Sequence, residues 1–124
     1  MTVVLNHTIV RARDQERAAR FLADLLGLAV GAPTGPLTPV RVYQDLTLDF
    51  DERGAVVPGH FGFLVDDHTF DRVLGVLSAR PDVPFGSGPE HGGDRAINHL
   101  AGGRGVYVRD PDGHSYEFFT VPPG

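Results

Sequence analysis

Apolar residues recur along this chain with two different periods. Val3 to Val10 (VVLNHTIV) is a short β-branched run broken only by Asn6, His7 and Thr8, which predicts a strand. Behind it Ala18, Phe21, Leu22 and Leu25 recur at helical spacing, with Asp14 placed to cap the start and Gly27 where a C′ glycine belongs. Leu28 to Gly31 is a further short stretch of strand character, and the Pro/Gly-rich residues 32–39 predict a loop. Val40 to Gln44 and Leu46 to Phe50 then predict a hairpin that ends at Asp51-Glu52-Arg53-Gly54. After this the order begins again. Gly59 to Val65 (GHFGFLV) reads as a strand, and Asp66 or Asp67 caps a helix carrying Phe70, Val73, Leu74 and Leu77. A Gly/Pro-rich stretch, 81–93, precedes Gly105 to Arg109, the turn Asp110-Pro111-Asp112-Gly113 and a last strand, Ser115 to Val121.

Asp14 and Asp66 occupy matched places in these two passages, as do Phe21 and Val73, and His7 and His60, at a spacing of roughly 50 residues. The chain therefore reads as α+β, a duplicated unit of strand, helix and about three strands: two paired βαβββ modules, module 1 about 1–55 and module 2 about 56–124. One helix face and a few strands cannot bury a core alone, so the modules pack together or exchange between chains.

At 124 residues the chain is long enough for one domain. Eleven basic against 16 acidic residues, a formal charge of −5, disfavour nucleic acid as a partner. No apolar run reaches the ~18 residues a membrane span requires, and Met1 leads into a strand-like run rather than a signal peptide. The expectation is a cytoplasmic protein without membrane contact. Cysteine is absent and every basic residue is arginine, which removes thiol nucleophiles, thiolate metal sites and lysine Schiff bases. Chemistry is left to His, Asp, Glu, Tyr or a metal.

Strand alternation puts Leu5, His7 and Ile9 on one face, His60, Gly62 and Leu64 on another, and Ser115, Glu117 and Phe119 together on the last strand. Glu117 interrupts the hydrophobic run from Tyr116 to Val121, where an unpaired buried carboxylate costs several kcal/mol. It needs a cation or a proton. Two imidazoles and a carboxylate suit Fe(II) with open facial positions, and equally Zn, Mn or Ni. The same spacing also fits two satisfied strand histidines and a glutamate paired with an arginine.

The segments NHTIVRARDQERAARFLADLLGL, GHFGFLVDD and RGVYVRDPDGHSYEFF together resemble the vicinal oxygen chelate superfamily, which includes glyoxalase I, extradiol ring-cleavage dioxygenases, fosfomycin-resistance thiol transferases and bleomycin-binding proteins. The likeness runs over essentially the whole chain. It implies a curved mixed sheet around a metal cup, with His7, His60 and Glu117 on the metal-ligand positions. It further implies one divalent metal ion per site, Fe2+ favoured and Mn2+, Ni2+ or Zn2+ as alternatives, a small-molecule substrate and a homodimer. Where glyoxalase I places a fourth ligand, commonly glutamate, this chain has Thr47; Asp49 shares its face.

The stretch from Ile97-Asn98-His99 through Val106-Tyr107 and Asp110-Pro111-Asp112-Gly113 to Glu117 resembles the extradiol dioxygenase signature, which implies that His99 and Tyr107 act on substrate or oxygen. Those enzymes ordinarily have two module pairs and a further acid-base histidine, yet residues 33–59 hold no histidine. Arg104 and Arg109 flank this region as candidates for a substrate carboxylate or phosphonate. His68, His91 and His114 read as surface residues, and 84–93 as a lid or a plain connection. Three functions stand open: an extradiol-type dioxygenase, a glyoxalase I-like isomerase or lyase, and a metal-free drug-binding protein of the bleomycin-resistance type.

Overall fold

Both helices begin at an aspartate that caps them. In α1 (Gln15–Leu26) the Asp14 carboxylate accepts the Arg17 N–H at 3.1 Å, and Gly27 closes the helix at φ 72°. In α2 (Asp67–Ser78) Asp66 accepts the Thr69 N–H at 2.8 Å, which selects Asp66 over Asp67 as the cap. The computed structural model describes residues 2–90 and 93–123. The chain is α+β and divides into two units, Met1–Val57 and Pro58–Gly124, each with one helix and one mixed sheet.

In the first unit β1 (His7–Arg11), β2 (Thr38–Tyr43) and β3 (Leu46–Asp51) form a sheet of order β1-β3-β2, with β1 parallel and β2 antiparallel to β3. Val10, Val40, Leu48 and Phe50 point one way and are buried with Ala18, Leu22 and Leu25 of α1. The opposite face carries His7, Ile9, Thr47, Asp49 and Arg41. Strand β1 is shorter than the hydrophobic run predicts. Val3, Val4 and Leu5 are exposed, because β3 begins at Leu46 and the pairing has no partner beyond the bond from Thr47 N–H to the Asn6 carbonyl. Leu28 to Gly31 is not a strand. One bond, from Gly31 N–H to the Pro39 carbonyl, links it to β2, and Pro39 has no N–H to return.

In the second unit β4 (His60–Leu64), β5 (Phe85–Gly86), β6 (Gly105–Arg109) and β7 (Ser115–Phe119) take the order β4-β7-β6-β5, with β4 and β7 parallel. Val106, Val108, Tyr116 and Phe118 are buried together with Phe70, Val73 and Leu77 of α2. The region read as a lid or connection, 84–93, begins with β5, which pairs with β6; His91 lies outside the described residues. Among the described residues no helix is long and apolar enough to cross a membrane.

His114 departs from expectation. It is buried, 2% exposed, and its Nδ1 accepts the Gly59 N–H at 2.8 Å. The Asp110 carboxylate receives the backbone N–H groups of Asp112 and His114, which folds the turn back and drives the ring inward; burial holds that carboxyl above its usual range.

Candidate functional site

The parallel register of β4 and β7 sets His60 beside Ser115 and Gly62 beside Glu117, while the antiparallel register of β6 sets Tyr107 opposite Glu117. One face of the second sheet thus gathers an imidazole, a carboxylate and a phenol. His60 Nε2 lies 3.1 Å from Glu117 Oε1, and the His60 and Tyr107 rings are 6.0 Å apart between centroids. Gly62 leaves room for this: a Cβ there would stand 3.9 Å from Glu117 Oε1 and 3.2 Å from the Phe119 ring. Glu117 is only 7% exposed, and its close side-chain neighbour is His60 rather than an arginine. Burial first, and then its interaction with the Glu117 carboxylate, raises the Tyr107 hydroxyl above its usual value, so it stays protonated and able to donate.

His7 stands on the open face of the first sheet, opposite Thr47. Its Nδ1 lies 3.0 Å from Asn6 Oδ1, and the Asn6 amide N–H is turned to the Asp45 carbonyl. An amide oxygen only accepts, so in this arrangement Nδ1 carries the proton and the Nε2 lone pair is left for another partner. Within neither unit do three or more His, Asp or Glu side chains among the described residues come together as a metal site. The close pair is His60 with Glu117, and His7 is a donor of the first unit. A cavity of about 440 Å³ opens on the His7 face, lined by Asn6, Pro39, Arg41, Thr47 and Asp49 among others.

The remaining candidates occupy different places. His99 precedes a short 3-10 turn, Leu100–Gly102, where its Nδ1 donates to the Gly103 carbonyl at 3.1 Å. Its neighbour Asn98 pairs with Gly105, at the opposite end of β6 from Arg109. Arg104 bridges Asp71 at 2.8 Å and Asp67 at 2.9 Å and lies over the Phe70 ring at 4.5 Å. That arrangement ties β6 to α2 and turns the guanidinium toward the helix. Arg109 is exposed at the end of β6, beside a shallow depression lined by Tyr107, Ser115 and Pro89. Two residues gave little signal in the sequence. Arg41 looks there like an ordinary polar strand position, and His114 like a turn residue.

No family model and no curated sequence matches the chain. Among solved structures it is similar to the oxidase ChaP-H2, at 46% identity over 100% of this chain and 98% of that one, with a TM-score of 0.92. It is likewise similar to the oxidase ChaP-H1, at 48% identity over 98% of both chains, with a TM-score of 0.91. A lactoylglutathione lyase from Agrobacterium tumefaciens shares the fold at 24% identity, over 96% of this chain and 93% of that one, with a TM-score of 0.69. The duplicated strand-helix units, the two mixed sheets and these likenesses lead to one assignment: the chain belongs to the vicinal oxygen chelate superfamily of glyoxalases, bleomycin-resistance proteins and dioxygenases.

Proposed function

We propose that this chain is a metal-dependent enzyme that oxidises a small substrate gripped through neighbouring oxygens, in the manner of an extradiol-type dioxygenase. The observation that carries the reading is the buried Glu117 carboxylate facing the His60 imidazole with no arginine between them. A carboxylate so buried calls for a positive partner, and an oxygen and an imidazole nitrogen are a donor pair for a divalent ion. His60 and Glu117 would hold that ion; His7, its Nε2 left for another partner by Asn6, is the third donor that the family resemblance implies. The names of the two oxidases, at 46% and 48% identity, favour oxidation over isomerisation.

When bound, a divalent iron would supply Lewis acidity and a site for dioxygen. The chain's own groups do the rest. Tyr107, protonated and opposite Glu117, donates a hydrogen bond to the carboxylate or to a substrate oxygen and so holds a proton at its hydroxyl. Arg109 stands at the rim to meet an anionic substituent, and His99 offers Nε2 because Nδ1 is engaged with Gly103. The isomerase alternative needs a fourth, carboxylate ligand, and across the β1–β3 pairing His7 meets Thr47 instead. We expect the protein to act as a homodimer.

The test is anaerobic loading with Fe(II), followed by measurement of bound metal and of oxygen uptake with a panel of catechols and hydroquinones. Near-stoichiometric iron, lost in His60→Ala and Glu117→Ala, with substrate-dependent oxygen uptake is the expected result. Less than roughly 0.1 metal per chain after loading would overturn it in favour of a drug-binding protein. Full metal binding with no oxygen uptake, but turnover of a thiohemiacetal, would favour the isomerase.

A further inference from the structure

We infer that the open face of the first sheet carries a recognition pocket for a small planar molecule with an ionised oxygen at one end and a hydroxyl at the other, read by Arg41 and Asp49. The inference deepens the proposed function by naming a substrate class, and it rests on that reading for the identity of the occupant. The cavity there, about 440 Å³, falls within the range of small-molecule sites. Its lining is mixed: Pro39 and Ala29 supply apolar surface, and His7, Thr47, Arg41 and Asp49 supply polar groups.

Arg41 is the distinctive member. The chain has 16 acidic residues against 11 arginines, so carboxylates are in excess. Arg11 and Arg53 in the same unit both take Asp51, and Arg20 takes Glu16. Among the described residues Arg41 makes no carboxylate pair. Its Nη2 donates to the Gln44 carbonyl at 2.7 Å, which steadies the fork, while the other guanidinium N–H groups are left for an acceptor. Strand register places Arg41 next to Thr47 and Asp49 next to Pro39, one pair further along the same face. An anion is drawn to the guanidinium and repelled by the carboxylate, so a bare anion is a poor occupant. A ligand that directs an ionised oxygen at Arg41 and donates a hydroxyl proton to Asp49 satisfies both.

The test is amide-shift mapping of the isotope-labelled full-length chain by NMR with chelator present, titrating 4-hydroxybenzoate, benzoate and phenol. 4-Hydroxybenzoate is expected to shift amides in 29–31 and 39–49 and to bind more tightly than the other two. Arg41→Gln is expected to weaken 4-hydroxybenzoate about tenfold, and Asp49→Asn to weaken 4-hydroxybenzoate while leaving benzoate unchanged or tighter. Arg20→Gln, on the exposed side of α1, is the control expected to bind as the parent does. Equal affinities for the three probes, an unchanged affinity in Arg41→Gln, or shifts confined to the second unit would overturn the inference. Because binding is read without metal or turnover, an absence of oxygen uptake beside intact 4-hydroxybenzoate binding refutes the enzyme reading alone. Iron-dependent oxygen uptake without these shifts refutes the pocket alone.

Discussion

His114→Ala is expected to damage the second unit well beyond the cost of an ordinary turn substitution. The imidazole is 2% exposed, accepts the Gly59 N–H at 2.8 Å and stands edge-on to Phe61 at 5.9 Å between ring centroids. Removing the acceptor leaves the Gly59 N–H unsatisfied, about 1–3 kcal/mol. Removing the ring contact adds about 0.5–1.5 kcal/mol. The sum, about 1.5–4.5 kcal/mol, is a large share of the roughly 5–15 kcal/mol typical of a folded domain. At about 4 °C per kcal/mol for a chain of this size it corresponds to a melting temperature lower by roughly 6–18 °C. Calorimetry of parent and variant measures it. His114→Asn is the discriminating partner, because its Oδ1 stands near the place of Nδ1 and restores the bond without the ring. It is expected to recover about half the loss. Equal melting temperatures for the two variants, or a loss below about 0.5 kcal/mol in His114→Ala, would refute the reasoning. Position adds a functional consequence: Gly59 precedes His60, and the Ser115 N–H holds the Gly59 carbonyl at 2.9 Å. Loosening Gly59 frees His60 from its register with Glu117, so under the proposed function His114→Ala is also expected to bind metal less tightly.

Three other substitutions probe the remaining contacts. In Gly105→Ala the new Cβ would stand 2.5 Å from Asn98 Oδ1, expelling an amide that bonds the Ser87 carbonyl and the Leu100 N–H. Unfolding titrations should show a loss of about 1–3 kcal/mol, whereas the same substitution made in an Asn98→Ala background, where those bonds are already gone, should add little. Asp51 is held at about 2, below its ordinary 3.8, chiefly by the Arg53 side chain, with the Arg53 N–H and the Arg11 charge adding to it. Since the folded value is the lower one, its contribution is complete above the ordinary carboxylate range and is lost as the pH falls toward 2. Asp51→Asn should flatten the acid limb of a stability-versus-pH curve; an unchanged slope would count against the pairing. Arg104→Gln gives up two ion pairs whose acidic partners are exposed, so urea unfolding should show a loss of about 1 kcal/mol that shrinks at high salt.

Local chemistry made much of this molecule legible in its sequence. Asp14, Asp66 and Gly27 mark helix ends because capping is decided within a turn, and the apolar spacing of α1 and α2 states which face is buried. Alternation on β4 and β7 placed His60 and Glu117 on single faces, and the repeat exposed the two-unit architecture. The limits of β1 were less visible, since a strand ends where its partner ends, and Val3 to Leu5 are as strand-like as Ile9 and Val10. Leu28 to Gly31 failed as a strand through the missing N–H of a distant Pro39. Arg104 looked like a substrate anchor until Asp67 and Asp71, more than thirty residues earlier in the chain, were seen beside it. His114 looked exposed until a turn folded it under Gly59.

What the sequence by itself determined, then, is what short-range rules govern: two capped helices, their buried faces, a duplication, and strands with a histidine or glutamate standing among hydrophobic residues. Only tertiary structure decided the pairings. The contact of His60 with Glu117, the opposition of Tyr107, the cavity before Arg41 and the burial of His114 all depend on strand register and on charges brought from afar. Those are set by the packing of whole faces, where a shift of one residue would turn the strand side chains among them to the other side of their sheet.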